Sequence, residues 1–158
     1  DYDDKGAISR TGKINEDLFN NLNALGFYHQ KKPKSLGFEF VKEIVLPITE
    51  SFEISIEDKL RTFTQHIAFQ IALALPNKKG QMLVTGGGAY NDFLMERIES
   101  YLPEIKITIP SKKILEFKEA LIFALLGILK LRGEINVMSS VTGAKMDHSS
   151  GKIYYIQE

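Results

Sequence analysis

Three adjacent glycines give this 158-residue chain its clearest indication of ligand chemistry. Gly86, Gly87 and Gly88 follow a short apolar segment, 81–85, and a segment of helical pattern begins near Asn91. Because glycine has no Cβ, a ligand can lie directly against this backbone. The first turn of the helix would present N–H groups and the positive end of its dipole to an anion. This arrangement of strand, glycine triplet and helix predicts a phosphate or nucleoside contact. The alternative is a tight turn in which glycine only permits close packing.

Residue types and spacing disfavour several other chemistries. The glycines match neither the G-x-G-x-x-G dinucleotide fingerprint nor the G-x-x-x-x-G-K-[ST] phosphate loop. The chain has no cysteine, which excludes disulfides, cysteine-liganded metals and thiol nucleophiles. His29, His66 and His148 are far apart and none has an i, i+4 partner, so we expect no metal site and no hydrolytic triad. His66 lies beside an apolar stripe and is interpreted as an ordinary helix residue.

Two further places hold candidate substrate contacts. Glu119 lies early in a long apolar segment and is followed by ten residues without a charge. Its carboxylate lies either at the domain surface or in a cleft, where it would accept hydrogen bonds from hydroxyl groups. Lys34 and Ser35 belong to a loop bent by proline and glycine, and this loop either holds a phosphate or sugar or is simply solvated.

The composition indicates a soluble, cytoplasmic protein. Apolar residues make up 44% of the chain, and 20 basic side chains balance 20 acidic ones. A nucleic-acid partner is not expected, because such proteins usually carry a basic excess. A membrane partner is not expected either, since the longest uncharged apolar run, 120–129, is too short to cross a bilayer.

Periodicity and capping signals place these residues on an alternation of helices and strands. A helix at 16–25 begins behind Asn15, and a second begins behind Ser55. The remaining predicted elements are an extended piece at 7–10, a short helix at 38–46 stopped before Pro47, strands at 81–85 and 105–109, a helix from 92, a deeply buried helix at 115–131, and a last strand at 152–156. This order predicts an α/β domain with a parallel sheet. Two strands make a thin sheet, so further strands are expected from sequence outside this chain.

Four blocks of sequence carry a specific resemblance. They are 33–39 (PKSLGFE), 84–91 (VTGGGAYN), 118–124 (KEALIFA) and 140–144 (SVTGA). In this order they are similar to the P-K-S-[TL]-G-x-E loop, the glycine-triplet-plus-asparagine motif, the E-A-x-x-F-A helix and the closing S-V-T-G-A of one family. The chain resembles the carboxyl-terminal part of the anhydro-N-acetylmuramic acid kinases, sugar kinases of the actin/hexokinase/Hsp70-like ATPase superfamily.

The resemblance implies a fold and an activity. The fold is an incomplete actin-like ATPase (ribonuclease H-like) lobe, with 1–54 as a polar segment bordering the cleft and 55–158 as the carboxyl-terminal lobe. The activity is opening of the 1,6-anhydro ring by water, with phosphorylation of O6 by Mg-ATP, in cell-wall recycling. The resemblance also suggests a homodimer.

The resemblance assigns roles to residues as well. Gly86, Gly87, Gly88 and Asn91 would contact the nucleotide, and Glu119 the sugar, together with the loop at 34–35. The family's catalytic aspartate and its amino-terminal phosphate-binding segment are absent from these 158 residues. The chain would therefore supply one wall of the site and be inactive alone. The alternatives are a non-catalytic nucleotide-binding domain and a different sugar kinase of the same superfamily.

Overall fold

The computed structural model describes residues 2–31 and 34–154. The chain divides into a larger compact unit, residues 1–110, and a smaller one, residues 111–158. This boundary differs from the predicted division between residues 54 and 55, and the role of those two segments at a cleft stays a prediction. In the described part of the chain, no helix is long and apolar enough to cross a membrane.

Helices make up most of the larger unit. Their bounds are α1 Ala7–Thr11, α2 Glu16–Asn23, α3 Gly26–His29, α4 Phe38–Phe40, α5 Leu46–Glu50, α6 Ile56–Ala74 and α7 Asp92–Tyr101. Two of the predicted N-caps are confirmed. The Asn15 side chain accepts a hydrogen bond from the Leu18 amide, and the Ser55 side chain accepts one from the Asp58 amide.

The prediction of an extended segment at 7–10 is wrong, because these residues form α1. A turn of 3-10 helix, Asp4–Gly6, leads into it, and Gly6 has the left-handed backbone conformation at φ +75°. The Asp3 carboxylate accepts hydrogen bonds from the amides of Ile8 and Ser9 at 2.7 and 3.0 Å. These bonds satisfy amides of the first helical turn, which stabilises a helix too short to persist on propensity alone.

The prediction that a helix stops before Pro47 is also wrong. A π-helical segment, Val41–Val45, joins α4 to α5, and Pro47 lies in the first turn of α5. Proline is tolerated there because the first turn of a helix has N–H groups without intrahelical partners. Val45 is buried with residues of α2 in one of the two apolar clusters of the unit.

Two parallel strands follow α6. β1 Gly80–Leu83 pairs with β2 Ile105–Thr108 in a register that places Gly80 opposite Ile105 and Leu83 opposite Thr108. The order helix, strand, helix, strand and the parallel pairing confirm the predicted α/β class. A second apolar cluster packs α6 and α7 against this sheet, with Ala68, Ile98 and Leu102 almost fully buried.

Small and polar side chains take the most buried positions of α6. Thr62, His66 and Ala68 are at most 2% exposed, whereas the larger side chains of Phe63 and Ile67 are half-buried. Helices α1, α2 and α7 all pack against α6. Their close approach favours small residues on the inner face and leaves the larger side chains at the margins.

The smaller unit contains α8 Lys112–Leu131 and α9 Ser139–Thr142. The prediction of a deeply buried helix is wrong in this chain, since no residue of α8 is buried. A unit of 48 residues offers too little sequence to cover a helix that is apolar on almost every side. The predicted last strand is not found at 152–154, and 155–156 lie outside the described residues.

Candidate functional site

The glycine triplet lies directly beyond the carboxyl end of β1. The strand pairing continues to the Val84 amide, which donates to the Thr108 carbonyl at 3.0 Å. The backbone then turns at Gly86, whose φ is +90°. A 3-10 turn, Gly87–Tyr90, comes next, and only then does α7 begin. The predicted helix from 92 is confirmed as α7, and a turn of 3-10 helix that sequence reasoning did not predict lies between it and Gly86.

The space beside the triplet is open. A Cβ added to Gly86 or Gly87 would meet no atom within 4 Å, and one added to Gly88 would only touch Leu94 at 4.0 Å. Gly87 and Gly88 are exposed. Gly86 needs glycine for its backbone conformation, but Gly87 has neither a left-handed φ nor a close neighbour that demands it. Close internal packing therefore does not account for Gly87.

Asn91 positions the start of α7. Its Oδ1 accepts a hydrogen bond from the Leu94 amide at 2.9 Å, which satisfies one amide of the first turn. Beside it, Lys5 and Asp92 form an ion pair at 3.9 Å. The side chain of Asn91 is therefore the N-cap of α7, and its predicted contact with a nucleotide stays a prediction.

Lys34 and Ser35 lie in the same unit, in the irregular segment 34–37. The Lys34 ammonium donates to the backbone carbonyls of Phe27 and Tyr28 at 3.1 and 2.9 Å and lies 4.9 Å from the centre of the Phe27 ring. Ser35 is exposed. Lys34 is therefore tied to α3, and a substrate contact by either residue stays a prediction.

Glu119 belongs to the smaller unit. It lies on an exposed part of α8, after Phe117 and before Leu121, which are themselves 60% and 66% exposed. Glu119 itself is exposed in this chain, and its predicted contact with a sugar stays a prediction.

A polar network on α6 was missed by sequence reasoning, which treated His66 as an ordinary helix residue. Asn23 Oδ1 accepts from Gln70 Nε2 at 2.7 Å and lies 2.8 Å from His66 Nδ1. Since this oxygen is an acceptor, His66 carries its proton on Nδ1, and its Nε2 accepts from the Tyr28 hydroxyl at 2.9 Å. Burial lowers the pKa of His66 to about 4, so the ring is neutral at pH 7.

This network faces a cavity of about 920 Å³ inside the larger unit. Its walls are mainly apolar and include Phe27, Val45, Phe63, Ile67 and Ile71. No local pattern in the sequence indicates the cavity, because its lining comes from three separated segments. The described residues contain no group of three or more His, Cys, Asp or Glu side chains that could hold a metal ion.

Comparison with known proteins decides the family. The family model described as anhydro-N-acetylmuramic acid kinase matches residues 1–156. The chain belongs to the anhydro-N-acetylmuramic acid kinase family. This match extends over both units and includes all four blocks that carried the resemblance.

Curated members of the anhydro-N-acetylmuramic acid kinase family agree with this match. The chain is 34% identical to the enzyme of that name from Hahella chejuensis, with 96% of this chain and 43% of the relative covered. It is 32% identical to those from Crocosphaera subtropica and Vibrio cholerae, with 97% and 98% of this chain covered. The chain spans less than half the length of these relatives, 43–44% of each.

Proposed function

We propose that this chain supplies one wall of the nucleotide and sugar site of an anhydro-N-acetylmuramic acid kinase. The family supports the reaction class, and the open backbone at Gly86–Gly88 supports the place of the nucleotide. Ligands of parallel α/β sheets lie beyond the carboxyl ends of the strands, which is where this triplet is found. The observation that carries the proposal is Gly87, a glycine that neither φ nor packing requires.

The proposed chemistry joins ring opening to phosphoryl transfer. Water adds to the anomeric carbon and gives its proton to a carboxylate base that is not among these residues, and the bond between that carbon and O6 breaks. O6 then forms a bond to the γ-phosphorus of ATP as the bond from that phosphorus to ADP breaks. Catalysis of phosphoryl transfer depends mainly on positioning and on electrostatic stabilisation from the groups around the phosphates. In this proposal the backbone at Gly86–Gly88 lies against the phosphates of the nucleotide, and Glu119 accepts hydrogen bonds from the sugar hydroxyls.

Mg²⁺ would accompany the nucleotide, as in phosphoryl transfer generally. The described residues provide no cluster of ligands for it. In this proposal the chain contributes only the contacts with nucleotide and sugar.

Matched glycine substitutions test the nucleotide contact. Gly87→Ala places a methyl group on the open face of the triplet, and Gly26→Ala does the same at an equally open position on α3. We expect Gly87→Ala to weaken binding of ADP, measured by isothermal titration calorimetry, about tenfold or more, which corresponds to about 1.4 kcal/mol. Gly26→Ala should bind as the unchanged chain does. Equal affinities for all three chains would contradict the proposal.

Turnover tests the second part of the proposal. A coupled assay of ADP release, with ATP and the anhydro-sugar, should detect no activity for these 158 residues, because the groups that activate water are not among them. Binding of ADP without turnover supports one wall of a kinase site. Turnover by this chain alone would contradict that assignment while leaving the nucleotide contact intact.

A further inference from the structure

Three arginines surround one buried aromatic ring in the larger unit. Phe93 of α7 is 2% exposed. The guanidinium carbons of Arg10, Arg61 and Arg97 lie 4.8, 4.7 and 5.3 Å from the centre of its ring. One comes from each of α1, α6 and α7. Contact with the ring face stabilises each cation, so the packing of these helices gathers three positive charges at one place.

Only part of this positive charge is balanced within the described residues. Arg10 forms a two-bond pair with the carboxylate of Glu96, at 2.7 and 2.6 Å. Neither Arg61 nor Arg97 forms an ion pair in the part of the chain that the structure describes. The Nε atoms of both are buried and have no hydrogen-bond acceptor among those residues.

The three cations act on one another, and the carboxylate of Glu96 acts on Arg97 as well as on Arg10. Burial, followed by the nearby charges of Arg97 and Arg10, lowers the pKa of Arg61. Like charges held this close repel one another, and an anion between them would remove that repulsion. Arg61 and Arg97 are half-buried, so part of each side chain remains accessible to solvent.

We propose that Arg61 and Arg97, backed by Arg10, bind an oxyanion of the phosphate class, either inorganic phosphate or the phosphate group of a phosphomonoester. A guanidinium presents several N–H donors in a fixed plane that matches two oxygens of a phosphate. Bound phosphate would accept hydrogen bonds from α6 and α7 together and would hold the two helices in their present packing. None of the three arginines is among the residues proposed to contact the nucleotide, and the proposal does not depend on the proposed kinase function.

Thermal unfolding with inorganic phosphate tests the site. Phosphate is added at constant ionic strength, with sodium chloride as the compensating salt, so that screening stays unchanged. We expect Tm to rise with saturation, by about 3–6 °C when phosphate is tenfold above its Kd. Arg61→Gln and Arg97→Gln should each abolish the rise. Lys79→Gln, which removes an exposed cation paired with Glu104, should retain it. A rise of equal size in all variants would overturn the proposal.

A direct observation in the unchanged chain covers the case in which a variant does not fold. The Nε–H signals of Arg61 and Arg97 are followed by NMR during the titration with phosphate. Saturable shifts of these two signals support the site. If they stay constant while backbone signals elsewhere move, the proposal is overturned.

Glucose 6-phosphate distinguishes the two sources of the phosphate group. Tighter binding than that of inorganic phosphate indicates a phosphomonoester, and equal binding indicates the free ion. Loss of ADP binding in Gly87→Ala bears on the nucleotide contact alone, whereas loss of the phosphate response in Arg61→Gln and Arg97→Gln bears on this site alone, so the two failures are distinguishable.

Discussion

Gly86 and Gly87 are neighbours in sequence, but glycine stands at each for a different reason. Gly86 adopts φ +90°, which side-chain-bearing residues rarely reach, so its role is conformational. Gly87 lies in a turn of ordinary geometry with open space beside it. At the residue scale, structural need therefore explains the glycine at 86 but not the one at 87, and Asn91 combines an observed cap with a ligand contact that stays a prediction.

Substitutions of Asn91 should separate its capping role from its predicted ligand role. Asn91→Ala removes the acceptor for the Leu94 amide and should lower the free energy of unfolding by about 1 kcal/mol. Asn91→Asp keeps an acceptor and should fold as stably as the unchanged chain, but its negative charge should weaken ADP binding. Urea unfolding and calorimetry measure the two effects, and unchanged ADP affinity for Asn91→Asp would contradict the ligand role.

His66 should make the stability of the larger unit depend on pH. Its folded pKa of about 4 lies below the usual value of 6.5, so the unfolded state binds more protons between these values. The contribution of neutral His66 is complete above about pH 6.5 and is lost as the pH falls toward 4. Urea unfolding should show a loss of about 2 kcal/mol between pH 7 and pH 5.

Two variants check that this loss comes from His66. His66→Gln should show a lower but flatter stability across the same pH range, because glutamine does not titrate. His29→Gln changes an exposed histidine and should keep the slope of the unchanged chain. A slope that survives in His66→Gln would rule out this origin.

At the scale of elements, the sequence predicts those helix ends and strands that neighbouring residues determine. The caps at Asn15 and Ser55 and the two strands follow from neighbouring residues, and all are found. Helix α1 was missed because its stability comes from the Asp3 carboxylate and from packing against α6. The arginine cluster could not be predicted, since Arg10, Arg61 and Arg97 meet only through the packing of three helices.

The packing of α1 on α6 depends on the absence of a side chain at Gly12. A Cβ there would collide with the backbone carbonyl of Glu57, in the first turn of α6. The next residues are hydrogen-bonded to α6 as well. The Lys13 amide donates to the Asp58 carboxylate, and the Asn15 amide donates to the Thr62 hydroxyl. Backbone atoms held in this way cannot move aside at low cost.

Gly12→Ala should therefore lower the free energy of unfolding by about 1–3 kcal/mol. Gly26→Ala adds the same methyl group where nothing lies within 4 Å and should change stability much less. Chemical unfolding of the two variants provides the comparison. Equal stability of both would show that the contact between Gly12 and α6 is not as close as the structure has it.

At the scale of the whole molecule, the fold class and the family were predictable, whereas the burial of α8 was not. An apolar helix is expected inside a protein, but burial requires partners, and this chain spans less than half of its relatives. Phe117, Leu121, Phe123 and Leu131 are 60–71% exposed on α8. Exposed apolar surface of this extent favours association.

Self-association of this chain should therefore depend on α8. Sedimentation velocity at rising concentration should show oligomers, and the double substitution Phe117→Glu with Leu121→Glu should shift the chain toward the monomer. Lys113→Glu, on an exposed position of the same helix, should leave the association unchanged. Oligomers that persist unchanged in the double variant would place the contact elsewhere.

The contact between nucleotide and glycine triplet is tested most directly by a backbone amide NMR titration with ADP. The amide signals of Gly86, Gly87 and Gly88 should move together and saturate as ADP is added. The signal of Gly26, a glycine of the same unit with equally open surroundings, should stay in place. Saturable shifts confined to other residues, with the three glycine signals unmoved, would contradict the account.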